Sequence, residues 1–349
     1  MRIYDRVNVM YALAISAAVG GGTIPRAIAQ PRYSVTDLGP LPGYTISRAQ
    51  GINASGQVVG TAEDATGASH AVLWSSDGGM TDLGVLPGFN VSEGAAINDA
   101  GLVVGVSSNV GGLFHAFIWQ SGPGMSDLGT LPGYSNSEAS AINPSGQAAG
   151  SSSNDRDPHA FFWSSDAGLT DLGTLPGFNY SAAAGVNDAG QVVGSSWDVG
   201  GNTKSFIWTS DSGMTDLGSL PGFTFDEANA INAGGQVIGE ASNDTGPTRA
   251  FLWTTDAGMM NLGTVAGFSS SSANALNNVG QVVGTLSNNV GPTHAFMWQS
   301  GVMTDLNTLI PVGSGWVLQE ATGINDFGQI VGLGVVQGRT HAFRLDPAR

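Results

Sequence analysis

The residues of this sequence that could do chemistry recur at corresponding places along it. His115, His159, His294 and His341 each begin a segment His-Ala-Phe and His70 begins His-Ala-Val, while Lys204 and Arg249 hold the same place in two further copies. Imidazole is a common metal ligand. Lys and Arg are not, but all three side chains donate hydrogen bonds. A structural donor therefore accounts for the whole series. A second series, Asp37, Asp82, Asp127, Asp171, Asp216, Asn261 and Asp305, has one amide among carboxylates. What Asp and Asn share is acceptance, so this series is expected to cap backbone N–H groups at a strand end. A third series varies in character: Arg48, Glu93, Glu138, Ala182, Glu227, Ser272 and Glu320. Grouped carboxylates of this kind could take a hard cation or a cationic ligand, or work as an acid–base pair. They could equally form a solvated rim, with Arg48 between Glu320 and Glu93 of neighbouring copies in ion pairs that contribute little.

The elements that position these groups follow from an internal repeat. GINASGQVVG at residues 51–60 returns as AINDAGLVVG and AINPSGQAAG, and its Asn falls at positions 53, 98, 143, 187, 232, 277 and 325. The phrase reads as a hairpin. Asn opens a tight turn, Gly supplies the positive φ, and Gln-Val-Val-Gly begins the returning strand. The next segment, such as HAFIW at 115–119, is apolar on both alternating faces. Such a strand belongs to a sheet covered on both sides. A second turn leads to a fourth strand of the type MTDLG.

Four antiparallel strands in about 45 residues match one blade of a β-propeller. The hairpin and third strand occur in seven sets, and the surplus fourth strand, YSVTDLG at 33–39, precedes the first hairpin. The expected fold is therefore all-β: a seven-bladed propeller over residues 30–349, its ring closed by the N-terminal strand. The fourth strand should lie outermost and the AIN strand should line the channel. One face then carries the long loops, and variable loops on a rigid scaffold are where binding concentrates. The third series would open the channel on that face. Trp316, in the insertion of the last copy, would supply an apolar wall, while Tyr44, Phe89 and their equivalents plug the blade tops.

The repeat resembles that of the bacterial extracellular HAF-repeat family. It is carried by His70-Ala71-Val72, His115-Ala116-Phe117, His159-Ala160-Phe161, His294-Ala295-Phe296 and His341-Ala342-Phe343, each following an IN-x-x-GQ-VVG phrase. Lys204-Ser205-Phe206 and Arg249-Ala250-Phe251 depart from it. The resemblance implies an exported protein and lends no activity or catalytic residues. Independently, residues 1–29 have the basic start, apolar run and Ala-Ile-Ala ending of a secretory signal peptide. The expected location is the periplasm or the outside of the cell.

The net charge of −16 argues against nucleic acid and anionic membrane as partners. With 0 Cys there is no disulfide framework, and no second apolar stretch follows the first. No nucleophile elbow, P-loop or zinc motif is present. The sequence favours a monomeric secreted binding module for a protein or glycan. Its ligand contacts would be Arg48, Glu93, Glu138, Glu227, Glu320 and Trp316. The alternatives are a hydrolase or lyase using the channel-mouth carboxylates, and a structural cell-surface component. No cofactor is expected; calcium would bind weakly at most, since no copy holds a dense ligand string.

Overall fold

The computed structural model describes residues 32–154, 157–288 and 291–348. The proposed signal peptide lies outside them. Seven four-stranded antiparallel sheets form a β-propeller. We number the blades by their inner strands: Ile46–Ile52, Val91–Ile97, Asn136–Ile142, Tyr180–Val186, Phe225–Ile231, Ser270–Leu276 and Trp316–Ile324. Blade 2 is typical, continuing through Val103–Ser108 and Phe114–Gln120 to the outer strand Gly124–Gly129. Consecutive inner strands touch around the whole circle, including the first and the last. Tyr33–Asp37 pairs antiparallel with Arg339–Pro347 and completes blade 7, which is the closure expected from the strand count. Among the described residues no helix is long and apolar enough to cross a membrane.

The double-faced third strand does what its pattern demands. Phe117 and Trp119 pack on Ala71 and Leu73 of blade 1. From the other side of the same strand, Ala116 and Ile118 pack with Phe161 and Trp163 of blade 3. Large rings on one face meet small residues on the next, so the blades nest at interior density.

Polar stitches hold the ring in addition to this core. The Asn that opens each tight turn accepts the N–H four residues on, as Asn98 does from Leu102. Its amide nitrogen reaches across to the next blade: Asn53 to Asn98 O, Asn98 to Asn143 O, and so on until Asn325 donates to Asn53 O. The circle of seven amides is closed and points one way. At the other end a buried Ser at the start of an inner strand ties blades together. Ser92 Oγ accepts from Ala71 N and donates to Gly84 O. Ser47, Ser137, Ser181 and Ser271 accept in the same manner.

Candidate functional site

The His and Asp series, separate in the sequence, meet in space. Each His Nδ1 lies 2.7–3.1 Å from the carboxylate of its own blade: His70 with Asp82, His115 with Asp127, His159 with Asp171, His294 with Asp305, and His341 with Asp37 across the closure. The side-chain oxygens of this series also cap backbone N–H groups two residues on, the Asp82 carboxylate that of Gly84 and the Asn261 amide that of Gly263. Aromatic rings of the long loops pack on the imidazoles, with Phe89–His115 centroids 5.3 Å apart. The substitutions are compensated. Where Arg249 replaces His, Asn261 replaces Asp, and Arg249 turns to the Thr248 and Ser269 carbonyls. Where Lys204 replaces His, it reaches Asp226 (1% exposed), which stands where other blades have the buried Ser. These series are structural.

The variable groups converge elsewhere. Every inner strand carries a β-bulge, and the residue skipped by the pairing is Gln50, Ala95, Ser140, Ala184, Asn229, Asn274 or Thr322. A bulge re-aims one side chain, and here all seven line a channel cavity of about 590 Å³, together with Glu93, Glu138 and Glu320. The Gly of the Val-Val-Gly segment makes room for the bulge. At Gly105 a Cβ would collide with the Glu93 carbonyl oxygen and press on the Phe117 ring. Below the cavity Ile52, Ile97, Ile142, Leu276 and Ile324 line a separate space of about 180 Å³ at the tight-turn end.

The bulge column is uneven. Blades 2 to 4 offer Ala95, Ser140 and Ala184, whereas blades 5 to 7 and blade 1 offer amides and a hydroxyl. Three of the four polar-side residues have a committed donor: Asn229 Nδ2 to Ala273 O (2.8 Å), Asn274 Nδ2 to Ala321 O (3.0 Å), and Thr322 Oγ1 to Ala49 O (2.8 Å). Backbone carbonyls thus fix both Asn orientations, and the amide oxygens are the groups left for the lumen.

Over blade 4 the cavity opens sideways. Ala182 and Ala184 leave a gap between the rims of blades 3 and 5, and a further space of about 470 Å³ there is lined by Trp197, Thr203, Glu227 and Asn229. Trp197 is half-buried beside Tyr180, ring centroids 6.0 Å apart. Glu227 sits directly opposite Glu240 in the strand register. Desolvation, then the charges of Glu240 and Asp226, push its carboxyl above the ordinary range. Burial raises Glu320 as well, offset in part by the hydrogen bond from Asn274.

The predicted site residues therefore part company. Glu93, Glu138 and Glu320 share the central cavity and Glu227 lines its lateral branch. Arg48 stands on the blade between those carrying Glu320 and Glu93, but it forms an ion pair with neither. It pairs at 2.8 Å with Glu63 of its own blade, two residues beyond its register partner Thr61 on the adjacent strand. Trp316 does not line the cavity either. It packs edge-on against Phe343 (6.0 Å) on the core between blades, where an indole gains more from burial than at a wet rim. The aromatic wall is Trp197, one of the two Trp residues outside the third-strand series. Among the described residues no group of three or more His, Cys, Asp or Glu is placed to hold a metal ion.

The fold and this channel define a seven-bladed β-propeller, and comparison with known proteins agrees. Neither a family model nor a curated protein sequence matches the chain. Among solved structures, virginiamycin B lyase from Staphylococcus aureus superimposes with a TM-score of 0.58 at 12% identity, covering 90% of this chain and 99% of that one. A Mycobacterium tuberculosis puromycin-hydrolyzing peptidase gives 0.58 at 13%, covering 92% of this chain and 53% of the other. TolB from Acinetobacter baumannii gives 0.52 at 14%, covering 84% and 64%. The chain thus spans about two thirds or less of the last two. At such identities the likeness concerns the fold.

Proposed function

We propose that this protein is a binding module, exported as its HAF-type repeat suggests, whose working surface is the channel mouth on the long-loop face. One observation carries the reading. Among the residues that depart from the repeat, the bulge column and the glutamates above it gather around the cavity, while the recurrent polar series are consumed in holding the ring. A repeat protein that needed only to be rigid would have no use for different side chains at equivalent lumen positions. The two spaces of about 590 and 470 Å³ are of the size that takes small ligands or the tip of a larger one. The −16 net charge favours cationic or neutral polar partners. The chain would act in the periplasm or outside the cell, as a monomer, on a protein or glycan.

The test is to screen the purified protein on glycan and protein arrays beside a hydrolase panel, with Glu93→Gln/Glu138→Gln as the control. Binding that the double variant weakens supports the reading. Turnover that survives purification and is lost in the double variant would replace it with an enzymatic one, using the same carboxylates.

A further inference from the structure

The groove over blade 4 combines three features that do not occur together at any other blade. Its rim position is Ala182 rather than a glutamate, and its bulge residue is Ala184, so the inner strand leaves an opening. The wall of that opening is the Trp197 indole, supported by Tyr180. Its far side is Glu227, which forms no ion pair and accepts no hydrogen bond within the described chain, and which is paired in register with a second glutamate. Like charges directly opposite on neighbouring strands oppose folding. Arg48 is held by Glu63 on blade 1, and Lys204 is spent on Asp226. No cation of the described chain pairs with Glu227, which leaves its charge available to a ligand.

We propose that this groove binds an organic ammonium ion, its alkyl groups against the Trp197 face and its charge balanced by Glu227. The Asn229 amide, whose N–H is committed to Ala273 O, can present its oxygen to N–H or polarised C–H groups of the same ligand. An indole face attracts a cation through its quadrupole, and more strongly where water is displaced. A hydrated inorganic cation gains nothing from an indole, which separates this site from a simple acidic rim. The inference rests on the channel mouth being the working surface, and it names the chemistry of one ligand class there.

Choline is the probe, followed by calorimetry and by line broadening of its methyl resonance at low salt. The comparison compound is its neutral carbon isostere, in which a tert-butyl group replaces trimethylammonium. Choline should bind, and its affinity should fall about tenfold in Glu227→Gln and in Trp197→Leu, the scale of a desolvated cation–π or charge contact. Ala182→Leu, which fills the groove from a partly exposed strand position that lines it, should abolish binding, and it keeps the test decisive if Trp197→Leu does not fold. Four results would overturn the proposal: no choline binding to the native protein, equal binding of the isostere, displacement of choline by sodium chloride alone, or unaltered binding in Ala182→Leu. If Ala182→Leu and Glu93→Gln/Glu138→Gln also left array-detected ligands bound, the channel-mouth reading would fall with it. If only the isostere result went the wrong way, that reading would stand and the ligand class would not.

Discussion

Lys204 and Asp226 offer a quantitative check on how the ring tolerates its own irregularities. Asp226 is 1% exposed and accepts from Ser205 N (2.7 Å), Ser219 Oγ (3.0 Å) and Lys204 Nζ (3.2 Å). In Lys204→Met the carboxylate keeps two neutral donors and loses its counter-charge. Stranding one member of a buried ion pair costs about 3–5 kcal/mol. The Lys204 side chain is 22% exposed, so the lower end, about 3 kcal/mol, applies. With an unfolding entropy near 2.1 cal/mol/K per residue, a propeller of roughly 315 residues changes by about 0.66 kcal/mol per degree, and Tm should fall by about 4–5 °C. Lys204→His/Asp226→Ser rebuilds the arrangement found in blades 1 and 2 and should lie within about 1 kcal/mol of the native protein. Calorimetry on the native protein, Lys204→Met, Asp226→Ser and Lys204→Met/Asp226→Ser gives the coupling as a double-mutant cycle. A Lys204→Met protein as stable as the native one would refute the claim that Lys204 neutralises this site. So would a double variant that loses the full sum of the singles.

Gly105→Ala should destabilise by roughly 2–4 kcal/mol, since the new Cβ meets backbone that the bulge has pushed inward; urea denaturation reads this, and a cost under about 0.5 kcal/mol would mean that the bulge yields freely. Glu320 should make the fold pH-dependent in a defined sense. Its folded carboxyl titrates above the ordinary value of about 4.3, so the stability it confers is full below that value and is lost as pH rises through the folded one. Glu320→Gln, which can still accept from Asn274, should therefore raise Tm at pH 7 and lose that advantage as pH falls toward about 4.3. An advantage that persisted in acid would show the effect to be steric.

Much of the fold was legible because the repeat states each element seven times. The turn Asn, the positive-φ Gly and the two-faced third strand each had a single reading, and the surplus strand at 33–39 located the closure. The site was legible only in part. Counting alternate residues along the inner strand brings out the column of Glu93 and Glu138. A bulge breaks that alternation, and nothing local to Ala95 or Asn229 announces it. The signal was present in the uniform Gly at 60, 105 and 150, which has no turn to serve and marks a close approach of backbone instead. Trp197 carries no repeat signal, since it ends a second strand at a position held elsewhere by Glu63, Ser108, Ser153, Ser242 and Ser287. Lys204 stands out in the sequence as a departure from the His series, but its partner Asp226, on the next blade, is found only in the structure.

The closing strand also determines how the ring would respond to tension. Tyr33 lies opposite Pro347, and the Ala348 N–H donates to the Arg32 carbonyl. Both flanking segments therefore leave from the same end of one antiparallel pair. Force applied between them would fall on a single cross-strand hydrogen bond at a time and peel the pair open like a zipper, rather than sliding all its bonds at once. A pull on one flank alone would act on different bonds. Tyr33 is buried in the inter-blade core and shares the Leu309 carbonyl with Arg32, so these contacts would go with the first bonds of the pair, and the amide circle would be loaded only later. Stretched between its two ends, a ring closed in this way would yield first at the closing pair.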